Sequence, residues 1–209
     1  PERAVSEPSD WPFQLFTVSG RGKAALDANT AALAEYLATS EADPADIAYT
    51  LKEGRRAFER RRIVVADTAR DAAEKLAASD PREVFTHRAL SNPEPVFMFP
   101  GGGAQYAGMA RDLYETEPVF AEWIDAGLDI LQPQLDYDIR ALWLAEDAER
   151  ERADEALKKP SIQLPLIMIV EYALAKLLET WGISPKVLIG HSMGENTAAA
   201  LAGVMSFED

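Results

Sequence analysis

Val187-Leu188-Ile189-Gly190-His191-Ser192-Met193-Gly194-Glu195 is the stretch on which the fold turns. An apolar run enters Gly190, and an alanine-rich segment, Ala198 to Ala202, follows Glu195. A strand, a Gly-x-Ser-x-Gly elbow and a helix together hold a serine hydroxyl at the end of a sheet, and the two glycines are needed because the strained turn leaves little room for side chains. This reading predicts a strand over 187–189, a nucleophile at Ser192 and a helix from Met193 onward whose small residues approach the sheet closely.

Upstream, Val170, Ala173, Leu174, Leu177, Leu178 and Trp181 repeat at helical spacing from Leu166, and Gly182 ends the pattern. Gln163 and Pro165 stand at the entrance of this helix, where a buried glutamine has to hydrogen-bond or meet a ligand. Strand-helix-strand order implies a parallel neighbour for strand 187–189. Val96-Phe97-Met98-Phe99 is a continuous apolar strand of the kind buried on both faces of a parallel sheet, and it runs into Pro100-Gly101-Gly102-Gly103. Glycines at a strand's C-terminal end let backbone N–H groups face a ligand. A dinucleotide loop is the competitor, but Gly-x-Gly-x-x-Gly fails at Tyr106 and no Gly-Lys-Ser/Thr follows. A tight turn without chemistry is the plain alternative. Between the two strands, residues 119–131 carry a helical stripe, Ile139, Leu142 and Trp143 form a short apolar face, and the charged run 146–155 reads as a solvated helix or loop.

Ser91-Asn92-Pro93-Glu94-Pro95 marks a domain boundary. Before it, residues 1–12 read as a linker and residues 13–92 as a small α/β unit. Strands are expected over 13–18 and 62–66. One helix shows Leu26, Thr30, Leu33 and Leu37 on one face, a second is capped by Asp43-Pro44 and stopped at Gly54, and a third is capped by Thr68 and ended by Ser79-Asp80-Pro81. Arg55, Arg56, Arg60, Arg61 and Arg62 cluster here. They read first as a solvated loop and strand edge paired with Glu53 and Glu59, and second as a surface for an acidic partner. His87 falls in a connecting segment with no partner patterned around it, and a structural or solvated role is expected.

Composition closes several options. The 209 residues are enough for one or two domains, and 47% hydrophobic content is enough to bury a core. There are no cysteines and 2 histidines, so a cysteine-based metal or redox site is excluded and no metal or bound cofactor is expected. A net charge of −14 argues against nucleic acid or an anionic membrane as partner. The longest apolar run, Leu164 to Val170, is short and carries Pro165, so no membrane span is expected, and a cytoplasmic setting fits.

Phe99-Pro100-Gly101-Gly102-Gly103-Ala104-Gln105, then Gly108-Met109, Arg111 and Leu113-Tyr114, then Gln163, then Gly190-His191-Ser192-Met193-Gly194-Glu195, in this order, resembles the acyltransferase domain of modular type I polyketide synthases, related to malonyl-CoA:acyl carrier protein transacylases. Residues 13–90, with Asp46-Ile47-Ala48-Tyr49-Thr50-Leu51 and the arginine-rich stretch, resemble the linker domain that joins the ketosynthase to that acyltransferase. The resemblance implies an α/β fold: a small α/β linker domain, then over 93–209 the N-terminal, incomplete portion of an α/β-hydrolase-like large subdomain with parallel strands. It implies that Ser192 attacks an acyl-CoA extender thioester and passes the acyl group to the phosphopantetheine thiol of an acyl carrier protein. The backbone N–H groups of Met193 and Gly102 would stabilise the oxyanion, while Gln163 and His191 would line the acyl pocket. The family often has glutamine where this chain has Gly102. Glutamine after the serine tends to accompany methylmalonyl units, so Met193 leans toward malonyl. The family's catalytic histidine and carboxylate-binding arginine lie downstream of the serine motif, so the 209 residues are expected to be inactive alone and to adjoin a ketosynthase and the rest of the acyltransferase. A serine hydrolase or thioesterase, and a non-catalytic docking or scaffold segment, are the alternatives.

Overall fold

The computed structural model describes Ser6 and residues 9–208, and its contacts divide the chain into two compact units, Pro1–Pro93 and Glu94–Asp209. Of the expected N-terminal linker, residues 1–5, 7 and 8 lie outside the described residues.

In the first unit, β1 (Gln14–Gly20), β2 (Arg60–Ala66) and β3 (Val84–Arg88) form an antiparallel sheet in that order. Alternation sends Phe16, Val18, Val64, Ala66 and Val84 into the core. That core is completed by α1 (Lys23–Thr39), α2 (Pro44–Glu53) and α3 (Ala69–Ala78) through Leu37, Ile47, Ala48, Ala72 and Leu76. The caps are those the sequence predicts: Asp43 accepts the Ala45 N–H at 2.7 Å, and Thr68 accepts that of Asp71 at 3.1 Å. One expectation is corrected. His87 lies on strand β3 opposite Arg61, because the antiparallel ladder extends through a segment that reads as a connection.

The second unit places β4 (Val96–Phe99) parallel to β5 (Val187–Gly190), with Phe99 opposite Gly190. The connection between them holds α4 (Arg111–Thr116), α5 (Pro118–Leu131), α6 (Ile139–Trp143), α7 (Arg150–Ala156) and α8 (Pro160–Thr180), and α9 (Gly194–Leu201) follows β5. Phe120, Ile124 and Leu128 of α5 pack with Leu166, Val170, Ala173 and Leu177 of α8. Gly127 permits that approach, since a Cβ there would meet Ile169 Cγ1 at 2.7 Å. Trp143 is fully buried, with its Nε1–H donated to the Met109 carbonyl at 2.8 Å and its ring edge-on to Tyr114.

Three expectations change in this unit. Helix α8 begins at Pro160, so Gln163 sits in its first turns and Pro165 lies inside it. Proline at the first helical position costs no hydrogen bond, which is why the helix starts there and not at Leu166. The same helix has 21 residues and contains an 18-residue window of mean hydropathy 1.5, long and apolar enough to cross a membrane by length and composition, contrary to the reading of apolar runs; half of that window is buried in the protein. Among the described residues strand β4 is covered on one face only: Met98 and Val96 are 74% and 48% exposed, and Val187 and Ile189 of β5 lie on the same exposed face.

Candidate functional site

The turn after β5 is held from both sides. The His191 N–H donates to the Phe99 carbonyl at 3.0 Å, carrying the parallel ladder one residue past the strand. The Gly194 N–H then reaches the His191 carbonyl at 3.0 Å, and the Glu195 N–H reaches that of Ser192 at 3.0 Å. Between these bonds Ser192 takes φ +54°, a left-handed conformation that costs a non-glycine residue about 1–2 kcal/mol. The glycines on either side explain why the turn closes. A Cβ on Gly190 would stand 2.3 Å from the Glu195 nitrogen, and one on Gly194 would stand 2.1 Å from the Phe99 oxygen.

The loop after β4 lies against the serine. A Cβ on Gly101 would be 2.8 Å from the Ser192 Cβ and 2.9 Å from the His191 oxygen, so the loop backbone packs directly on the serine and on the carbonyl before it. Gly102 and Gly103 follow in an exposed turn, with Gly103 at φ +113°. The Gly103 N–H is taken by the Gln105 side-chain oxygen at 2.8 Å. Among the described residues, neither the Gly102 N–H nor the Met193 N–H has a hydrogen-bond partner.

Gln163 reaches this loop from α8. Its amide nitrogen donates to the Lys158 carbonyl at 2.8 Å, and its oxygen stands 2.9 Å from where a Gly102 Cβ would lie. His191 is exposed, and its Nδ1 lies 3.3 Å from the corresponding point on Gly101. No hydrogen bond joins it to Ser192 among the described residues. Ser192, Met193, Gly102, Gln163 and His191 are therefore gathered around one loop and one turn, whereas His87 and the arginines belong to the first unit.

That arginine group divides. Arg62 donates to Thr86, Thr30 and Asp27, at 2.9, 3.0 and 3.1 Å, and holds Asp27 below the usual carboxylate range together with Lys23, whose hydrogen bond is the larger cause. Arg56 and Arg21 lie over the Phe58 ring. Arg88, outside the cluster, carries the ion pair to Glu59.

Two supports escape a reading of the sequence. Gln105 is one, and its signal is a glutamine two residues past a glycine run. The other is Glu171 on α8, whose Oε2 accepts the hydroxyl of the fully buried Thr197 on α9 at 2.6 Å. Burial pushes the Glu171 carboxyl up to about 7, against the lowering effect of Thr197, and its Oε1 has no partner among the described residues. Its signal was a carboxylate in turns otherwise apolar all round.

Residues 96–209 match the acyl transferase domain family, and residues 14–76 match the CurL-like, PKS C-terminal family. The chain is 35% identical over 213 residues to erythronolide synthase EryA2 of Saccharopolyspora erythraea, an alignment covering 99% of this chain and 6% of that protein. Among solved structures it resembles the acyl transferase domain of ZmaA at TM-score 0.86 and 35% identity, covering 97% of this chain and 47% of that one. The acyl transferase domain of SpnD, solved in complex with 2-(pent-4-yn-1-yl)malonyl, is similar at TM-score 0.79 and 34% identity, over 94% of this chain and 46% of that one. The chain thus spans about half the length of these solved domains and a small share of the synthase.

Proposed function

Because the chain belongs to the acyl transferase domain family, and its relatives are polyketide synthases, we propose that Ser192 is the nucleophile of an extender-loading acyltransferase. The Ser192 hydroxyl oxygen attacks the thioester carbonyl of an acyl-CoA of malonyl type. The CoA thiolate departs, and the acyl group remains as a serine ester. A carrier protein's phosphopantetheine thiol then attacks that ester, and the serine oxygen leaves with a proton. The Met193 and Gly102 N–H groups receive the oxyanion in both steps, each contributing about 3 kcal/mol, and the dipole of α9 adds to them. Gln163 and His191 line the acyl pocket.

The observation that carries this reading is the junction of Ser192, at φ +54°, with a loop whose Gly101 would clash with it if it bore a side chain. A hydroxyl alone is a poor nucleophile, and His191 makes no hydrogen bond to it among the described residues. The proton acceptor and the group that pairs with the extender's carboxylate are assigned to parts of the domain outside these residues. Residues 13–92 are assigned as the linker to a ketosynthase, and 93–209 as the serine-bearing portion of the acyltransferase.

The test is acylation by malonyl-CoA of the full-length enzyme carrying this sequence, followed by mass spectrometry. An ester on Ser192 that is stable in water and discharged by a carrier thiol supports the reading. Release of free acid at a comparable rate would make the protein a thioesterase, and absence of an ester at Ser192 would end the proposal.

A further inference from the structure

Three successive glycines are the least rigid backbone available, yet an oxyanion donor is effective only when it is fixed before the reaction. What fixes Gly101 to Gly103 is therefore part of the site. Strand β4 anchors one end, and the Gly101 backbone rests on Ser192 and His191. The other end has no strand or helix: residues 104–106 are irregular. There the Gln105 side chain folds back over the turn, and its Oε1 takes the Gly103 N–H at 2.8 Å. Gly103 is the residue whose φ of +113° sets the direction in which the loop leaves.

We propose that Gln105 is a positioning residue for the acyl-transfer step: by occupying the Gly103 N–H it locks the glycine turn, and with it the direction of the open Gly102 N–H, one residue from the Gly101 contact with Ser192. The inference rests on the function proposed above. Two of the loop's neighbouring donors have different fates. The Gly103 N–H is bound internally, and the Gly102 N–H, next along the chain from the residue that touches Ser192, is left open. Without the Gln105 acceptor the Gly102–Gly103 peptide plane is free to turn. Gly102 has no Cβ to limit the compensating rotation, so the adjoining Gly101–Gly102 plane, which carries the Gly102 N–H, loses its fixed direction, and a donor that must reorient during the reaction stabilises an oxyanion less. Gly102 makes the dependence stronger, because the loop lacks a side chain that could wedge it against Leu164 or Gln163.

The experiment uses the full-length enzyme carrying this sequence and follows Ser192 acylation by malonyl-CoA with rapid quench and mass spectrometry. Rates are expressed per serine that eventually acylates. Gln105→Met keeps the length of the side chain and removes the acceptor; kcat is expected to fall about tenfold with KM little changed, a fraction of the loss that follows deletion of a whole oxyanion donor. Gln105→Glu keeps an acceptor oxygen and is expected to restore most of the rate. The melting temperatures of both variants are expected to stay near that of the parent, since the side chain is only half-buried. An unchanged kcat in Gln105→Met, or an equal loss in Gln105→Glu, overturns the positioning role while leaving Ser192 acylation in place. A parent enzyme that forms no Ser192 ester removes the function and this inference together.

Discussion

Gly194 and Phe99 are in backbone contact: a Cβ added to Gly194 would stand 2.1 Å from the Phe99 carbonyl oxygen. This contact joins the start of α9 to the end of β4, and so ties the serine turn to the glycine loop without any side chain. The consequence for substitution is graded. Gly194→Ala has no flexible neighbour to displace and should destabilise the second unit by about 3 kcal/mol or more, since overpacking against backbone costs at the upper end of the usual range. Gly102→Ala meets only the end of the Gln163 side chain and Leu164 Cδ2, and should fold normally. Chemical denaturation of the two variants side by side checks the contrast.

Ser192 pays for its left-handed backbone in stability. Ser192→Gly should raise stability by about 1 kcal/mol while abolishing the acyl-enzyme, and Ser192→Ala should abolish it without the gain. Thermal melts together with intact mass after incubation with malonyl-CoA separate these outcomes. A Ser192→Gly protein less stable than Ser192→Ala would mean that the turn is not strained.

Glu171 predicts a pH dependence. Its carboxyl is pushed up to about 7 in the folded chain from an ordinary value near 4.5, so the folded state holds the proton more tightly than the unfolded one. This contribution to stability is fully present below about 4.5, declines as pH rises toward 7 and is lost above it. Glu171→Gln keeps an acceptor for Thr197 and removes the charge. Its melting temperature should match the parent at pH 5 and exceed it at pH 8 by about 2–4 °C, corresponding to about 1 kcal/mol once solvent screening of the partly exposed side chain is allowed for. Equal differences at both pH values would contradict the assignment.

Arg62 should matter where its neighbours do not. Its side chain is 15% exposed and binds Asp27 and Thr30 of α1 and Thr86 of β3, so Arg62→Ala removes three hydrogen bonds that tie two elements to β2 and should cost about 2 kcal/mol. Arg60→Ala, on the exposed end of β2, should stay within about 0.5 kcal/mol. Urea titrations of both proteins are sufficient.

The elbow was legible because its chemistry is local: an apolar strand, two glycines and a run of small residues each report their own backbone needs, and β5, Ser192 and α9 follow. The parallel pairing of β4 and β5 followed from connection rules. The start of α8 was misplaced because Pro160 and Pro165 read alike in sequence, although only the first stands where its missing N–H has no cost. Strand β3 was missed because Phe85, Thr86, His87 and Arg88 are all exposed, which leaves no alternation to read. Gln105 and Glu171 were beyond reach for a different reason. Their roles depend on which backbone or hydroxyl group the fold brings to them, and no periodicity encodes that.

The exposed face of β4 and β5 also governs handling of this 209-residue chain in solution. Val96, Met98, Val187 and Ile189 form an apolar strip on a two-stranded ribbon. An exposed apolar face of that kind packs against a matching face on another molecule. At low ionic strength the net charge of −14 keeps copies apart. Added salt shortens the reach of that repulsion to about 10 Å at 0.1 M and leaves the strip unopposed, so this strongly acidic protein should become more cohesive, and less soluble, as salt is raised.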